Sequence, residues 1–397
     1  MGDVTRTSNF KLKMPEIAEV ARLVHFLKLN LVGTRIATAT AVEDGNVFGK
    51  TGSSGAAVEA ALRGKKVLSA GRQGKFFWMA LESPPHLVMH LGMTGWLHIR
   101  GQRTAYSSYY KKLKDDELQA WPPRFCKFHV ATADSPPVQA AFTDVRRFAR
   151  VYLVDGAASD LRRLWPLAGR GPDPLVDTHL FTPQWFCAAL RARRLPVKAW
   201  LLNQQIVSGI GNWVADEALF HARIHPEEQS NLIDDAAAQA LYHAVCYVCR
   251  TAVALLGDSD RFPDHWLFNH RWSKGAKQPP SLPNGHTLSF VTVGGRTSCY
   301  APALQSKTSP ARLPPDCHSQ PAPNLPPGDG PHAKRRFATH PASMDPESHD
   351  ACKQAKRPAV GEPLHAPSRS SRRTRPSQPA SKTDVSTGRR RSARLRP

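Results

Sequence analysis

Apolar positions Val20, Leu23, Val24, Leu27 and Leu31 recur every three or four residues after a Met14-Pro15-Glu16 start. That spacing predicts a helix over residues 16–31, ended by Gly33. Beyond it the segments 34–43, 65–70, 75–81, 87–91, 95–100, 127–132, 138–143 and 149–154 are short, rich in Val, Leu, Phe and Trp, and bounded by Gly, Pro and polar turns. Strands so closely spaced predict a sandwich or barrel. Residues 102–123, with three tyrosines and a Lys-Lys-Leu-Lys cluster, read as a polar surface loop. From about residue 160 the pattern turns helical. Thr182 caps a helix whose first turn holds Pro183, Pro196 starts another through Leu202, and residues 210–222 and 236–256 form two more. Residues 257–285 read as loop, and segments 286–293 and 297–304 flank Gly294-Gly295 as a β-hairpin.

Composition narrows the function. The 397 residues leave room for two or three domains, and a net charge of +22 suits a partner that is nucleic acid or an anionic membrane face. No apolar run reaches the roughly 20 residues needed to span a bilayer, and no apolar secretory core opens the chain, so neither membrane insertion nor secretion is expected. Seven scattered cysteines, at 126, 187, 246, 249, 299, 317 and 352, point to free thiols in a reducing compartment. Residues 1–13 read as a disordered lead-in. Residues 306–397 carry eighteen basic against seven acidic side chains, half the excess charge of the chain, and too few apolar groups to fold. Their clusters Lys334-Arg335-Arg336 and Arg389-Arg390-Arg391 read as nuclear import or loose phosphate binding, and equally as a solvated basic tail.

Three features bear on chemistry. Pro15 directly after a methionine becomes a secondary amine if that methionine is removed. Such an amine can form an iminium with a sugar aldehyde carbon, and an α-amino pKa near about 8 leaves a useful fraction unprotonated. Glu16 puts a carboxyl beside it. The plain reading of the pair is a helix start, with proline in the first turn and glutamate at the positive end of the dipole. Gly209-Ile210-Gly211-Asn212 before a helix offers close backbone approach and free amides to a phosphate, or is an ordinary glycine-rich connection. Cys246 and Cys249 have pair spacing but lie in an apolar helix, and read as packing rather than metal ligands.

At this point a resemblance is plain. Residues 201–220, around the Gly-Ile-Gly-Asn turn, resemble the helix–two-turns–helix element of the formamidopyrimidine-DNA glycosylase family. The opening Met14-Pro15-Glu16-Ile17-Ala18-Glu19-Val20 is similar to that family's start, apart from Ala18 where proline is frequent. Gly71-Arg72-Gln73-Gly74-Lys75 resembles its lysine loop, and His90-Leu91-Gly92-Met93-Thr94-Gly95 and Asp144-Val145-Arg146-Arg147-Phe148 resemble two further signatures. The resemblance spans residues 14–305 and implies an α+β architecture. Its parts are a two-layer β-sandwich with flanking helices over 14–158, a helix–two-turns–helix domain over 159–256 and a finger over 257–305. The implied activity is excision of oxidised purines from double-stranded DNA, followed by cutting at the abasic site. A stacked base is out of reach, so it must be flipped out and its space filled.

The roles the resemblance implies are carried over one residue at a time. Pro15 attacks C1′, Glu16 protonates the opening sugar, and Lys75 serves β-elimination and touches phosphate. Met93, Arg146 and Phe148 fill the space of the flipped base, Arg146 facing the orphaned partner and Phe148 wedging into the stack. His90 and Asn212 hold phosphates, and Lys127 lies near a further DNA contact. The finger departs from the zinc-binding pattern: only Cys299 lies in the hairpin. It is similar instead to the zincless finger of plant and fungal members, in which Arg296 grips lesion phosphates and assists δ-elimination. No metal or cofactor is expected, and the protein is expected to act as a monomer in the nucleus.

Two alternatives stay open. In the full sequence Pro15 follows Met14, and while it is in peptide linkage its nitrogen is no nucleophile. A chain that keeps this linkage would sense damaged or abasic DNA without cutting it. Within the enzyme class, preference for oxidised pyrimidines is the other alternative, with the Gly-Arg-x-Gly-Lys loop and the Arg-Arg-Phe motif favouring purines.

Overall fold

The computed structural model describes residues 15–307 except 111, 112, 273, 276 and 277, and except the side chains of 107, 108 and 115. The disorder expected over 1–13 and beyond residue 307 falls outside that range. In chain order the elements are α1 (Ile17–Asn30), β1 (Ile36–Ala41), α2 (Gly55–Leu62), β2 (Val67–Gln73), β3 (Phe76–Leu81), β4 (His86–His90), β5 (Trp96–Ile99), α3 (Ser107–Tyr110) and α4 (Asp115–Gln119). There follow β6 (Cys126–Thr132), β7 (Gln139–Thr143), β8 (Arg150–Val154), α5 (Pro183–Arg191), α6 (Val197–Leu202), α7 (Asn212–Ala222), α8 (Asp235–Ala254), β9 (Ser289–Val293) and β10 (Arg296–Tyr300).

The eight strands expected before residue 160 form two antiparallel sheets, ordered β1-β6-β7-β5 and β2-β3-β4-β8. Ile36, Leu97, Phe128 and Phe142 of one sheet and Val67, Phe77, Leu87 and Val151 of the other bury their side chains in one shared core, which makes the pair a sandwich. Helix α2 was not foreseen. Its apolar stripe is only Val58, Ala61 and Leu62, too short to show a period, yet Ser54 caps it by accepting the Ala57 N–H at 3.1 Å and it packs on β1 and β6. The insert over 102–123 contains the single-turn helices α3 and α4 rather than loop alone.

The helical half follows the expected starts. Thr182 accepts the Trp185 N–H at 3.2 Å with Pro183 in the first turn of α5, and Asp234 accepts the Ala237 N–H at 2.8 Å at the head of α8. Helix α7 begins at Asn212, two residues later than its apolar pattern suggests. The last two strands pair Val293 with Arg296 across the two-residue turn Gly294-Gly295.

What positions the site is the way α1 is shared. Ile17 and Ala18 pack with the helical core, whereas Val20, Leu23, Val24, Leu27 and Leu31 pack with the sandwich. The first turn of α1 therefore sits at the seam of the two halves. The β2–β3 turn closes the same seam. Gly74 holds φ +58, and a Cβ there would lie 2.6 Å from the Gly209 nitrogen and 2.6 Å from the Ser208 Cβ. Gly74→Ala is expected to lower stability by about 2–3 kcal/mol through the left-handed backbone and the clash. A urea midpoint that does not move would show that the turn does not press on this seam.

Candidate active site

Pro15 is buried where the chain enters α1, and Glu16 after it is 1% exposed. The Glu16 backbone N–H donates to the Glu19 carboxylate at 3.0 Å. Its side chain crosses the seam, where Oε1 accepts the Trp213 N–H at 3.0 Å and Oε2 the Val214 N–H at 3.2 Å. These are the free amides at the head of α7, so the carboxylate of Glu16 occupies the anion site that the glycine turn was expected to offer a phosphate. The turn supplies room for it: a Cβ on Gly211 would lie 2.2 Å from the Glu16 Cδ. Burial pushes the Glu16 carboxyl above its ordinary range, opposed by the Lys75 ammonium, the two amides and Arg271. A carboxyl that keeps its proton to higher pH is suited to act as an acid.

Lys75 stands on the β2–β3 turn, half-buried. Asp173, fully buried, bolts that turn down by binding the Arg72 guanidinium and accepting the Gly74 N–H at 2.9 Å. Burial lowers the Lys75 ammonium, Glu16 raises it and Arg296 lowers it further. The lysine loop, the α1 start and the hairpin arginine, far apart in sequence, are thus electrostatic neighbours. His90 ends β4; its Nδ1 accepts the Gly92 N–H at 3.0 Å, so the neutral ring carries its proton on Nε2. Burial, with Lys75, Arg170 and Arg150 nearby, drops its pKa to about 3. The histidine is therefore a neutral donor rather than a cation.

The loop residues form a second group. Asp144, fully buried, binds the Thr94 hydroxyl and accepts the Ala149 N–H at 2.7 Å, while the Arg146 N–H donates to Thr94 Oγ1 at 3.1 Å. These bonds join the Met93 turn to the 144–148 loop. Arg146 and Phe148 are both exposed, and the guanidinium lies 4.9 Å from the Phe148 ring centroid. Lys127 does not join them. It is 8% exposed and its Nζ donates to Asp44 Oδ2 at 2.9 Å, with Arg147 on the same carboxylate at 3.0 Å. The residue expected near a further DNA contact thus has its ammonium in a buried ion pair, because a lysine drawn into a sheet needs a counter-charge.

The finger is fastened by charge. Asp216, inside α7, binds the Lys198 ammonium of α6 and the Arg271 guanidinium, and accepts the Cys299 N–H of β10 at 3.1 Å. All three charged side chains are at most 8% exposed. Lys198 Nζ also donates to the Asn212 carbonyl at 2.8 Å. The Asn212 amide donates to the Thr297 carbonyl at 3.0 Å, so this residue reads as a strut for the hairpin as much as a phosphate ligand. Cys299 packs with Leu267, Leu282, Leu288 and Ala301 in a small apolar core, and Cys249 lies in the helical core with Cys246 against it. Arg296 stands exposed at the hairpin turn. Sequence reasoning missed Asp216, Lys198 and Arg271; the one available signal was the acidic pair Asp216-Glu217 inside an apolar helix, where charge is rarely left without a partner.

Residues 14–151 match the family model of the formamidopyrimidine-DNA glycosylase N-terminal domain, and residues 170–264 that of the formamidopyrimidine-DNA glycosylase H2TH domain. An Arabidopsis thaliana formamidopyrimidine-DNA glycosylase is 34% identical over 292 residues, covering 74% of this chain and 71% of that one. The enzyme of that name from Desulfitobacterium hafniense strain Y51 is 31% identical over 304 residues, with 74% and 100% covered. The fold is shared with a Lactococcus lactis enzyme solved bound non-covalently to DNA containing an abasic site, at TM-score 0.59 and 24% identity, over 74% of this chain and 100% of that one. A buried acid at a helix–two-turns–helix seam, on a sandwich with an exposed arginine–phenylalanine loop, defines a DNA glycosylase of base excision repair. More narrowly, the chain belongs to the formamidopyrimidine-DNA glycosylase family, with that family's glycosylase and abasic-site lyase activities.

Proposed function

We propose that the chain, when it begins at Pro15, removes oxidised purines from double-stranded DNA and then cuts the strand by β- and δ-elimination. The observation that carries the reading is the buried Glu16 carboxyl beside the α1 start, held by two α7 amides and raised by burial. In this mechanism the Pro15 nitrogen attacks C1′ while Glu16 gives its proton to the ring oxygen and the sugar opens. The glycosidic C–N bond then breaks, the base leaving with the proton lost from the Pro15 nitrogen and an iminium remaining. Loss of a C2′ proton, assisted by Lys75, expels the 3′ phosphate. A second elimination, with Arg296 on the phosphate, releases the 5′ end. His90 and Asn212 steady the backbone, while Met93, Arg146 and Phe148 occupy the gap left by the flipped nucleotide.

Under the same reading the chain divides into a catalytic sandwich over 14–158, a helical DNA-binding domain over 159–256, a zincless finger over 257–305 and basic tails. It works as a monomer. The clusters at 334–336 and 389–391 direct it to the nucleus. Preference for purines is supported by the formamidopyrimidine names of its relatives. The test is borohydride trapping on a duplex carrying an oxidised purine, with protein beginning at Pro15. A covalent adduct is expected; protein starting at Met1 and left unprocessed should give none. Absence of an adduct from the Pro15 protein would remove the lyase mechanism, and an adduct from the unprocessed chain would assign the nucleophile elsewhere.

A further inference from the structure

Beside the Arg146–Phe148 loop the chain exposes a second arginine–aromatic pair. The Arg124 guanidinium lies 4.8 Å from the centroid of the Phe125 ring, much as Arg146 lies 4.9 Å from that of Phe148. Phe125 is 42% exposed, close to the 47% of Phe148. Its backbone holds φ +63, a left-handed state that bulky side chains rarely adopt. A strained backbone that holds a large ring in solvent adds nothing to the core, and strain of this kind gathers at working surfaces. The pair is tied to the loop beside it. The Phe125 carbonyl accepts the Asp144 N–H at 3.1 Å, and the next residue, Cys126, is in register with Thr143 at the end of β7. Val145, between Asp144 and Arg146 in the chain, is 57% exposed. Among the described residues Arg124 meets the Glu117 carboxylate at 4.0 Å, and its side chain remains 75% exposed.

We infer that Arg124 and Phe125 form a second DNA-binding stack, with the ring against a base or sugar face beside the lesion and the guanidinium on the adjoining phosphate. This rests on the DNA glycosylase reading above. DNA is the occupant because the stack continues the surface of the 144–148 loop, and because alternating guanidinium and π-faces match phosphates and bases. The net charge of +22 favours the same partner.

The test compares full chains binding a duplex that carries a tetrahydrofuran abasic analogue. Glycine takes the left-handed backbone freely, so Phe125→Gly should melt no lower than the parent and bind roughly tenfold more weakly. Phe125→Tyr keeps a ring and should bind as the parent does, which separates lost stacking from lost folding. Arg124→Gln should reduce the slope of log affinity against log salt by about 1. Parental affinity in Phe125→Gly with an unchanged salt slope in Arg124→Gln would overturn the inference and assign the pair to another partner. A parent that itself fails to bind the duplex would remove the glycosylase reading, and this inference with it.

Discussion

Glu16→Gln is expected to slow base release by about 10²- to 10⁴-fold, the range for losing a positioned acid, while binding of an abasic-site duplex stays close to the parent's. Glutamine keeps the volume and one acceptor for the α7 amides but has no proton of the needed acidity. The sign of the pH dependence follows from the site. Burial raises the Glu16 pKa above 4.5 and lowers that of Lys75 below 10.5. The acid works while protonated, so the base-release rate of the parent should fall as pH rises through the raised Glu16 value. The variant should lack that limb. Single-turnover base release across pH measures both. A variant within tenfold of the parent, or one that keeps the alkaline limb, would show that another group supplies the proton.

Asp216→Asn is expected to lower stability by about 3–5 kcal/mol, because it leaves two cations buried without their counter-charge. The loss has a direction in pH. Burial already holds Lys198 at about 8, with Asp216 as the largest raising influence and Glu16 adding to it. Without that carboxylate the native lysine binds its proton still more weakly, while the unfolded chain keeps its lysine near 10.5. Stability of the variant should therefore climb as pH rises toward 10.5, wherever the unfolded state binds more protons, and the deficit should be larger at pH 6 than at pH 9. Urea midpoints at the two pH values measure it. The finger should loosen as well, since the single amide oxygen left at position 216 cannot serve both Lys198 on one side and Arg271 and Cys299 on the other. Strand-cleavage products should then shift from the second elimination toward the first, through looser positioning of Arg296. A deficit under about 1 kcal/mol, typical of an exposed pair, would show that the triad does not hold the finger.

The local patterns were legible. Short apolar runs and helical periods located eight strands, α1, α5 and the hairpin, with ends off by as many as four residues in the hairpin, because periodicity and caps are properties of neighbouring residues. The candidate site residues were singled out differently: Pro15-Glu16, the lysine loop, the His90–Met93 turn, the Arg146–Phe148 loop and Arg296 each sit in a short motif, but their roles came only from the resemblance of those motifs, in order, to one family. Helix α2 was not legible, having too few large apolar residues to mark a face, and nothing local to Lys127 marks Asp44, 83 residues away, as its partner.

Pairing between distant polar groups belonged to the tertiary structure alone. Glu16 meets the Trp213 amide across 197 residues, and Cys299 meets Asp216 across 83. The pattern of a helix says which face is buried but not which carboxylate will enter its N-terminus. That choice is made by packing, which removes water from both groups at once and leaves each no partner but the other. The local amino-acid order thus determined the strands and the longer helices of this glycosylase and set its candidate site residues in short motifs. Folding decided that its acid sits on a helix head rather than on a phosphate, and that three buried charges hold its finger to α7.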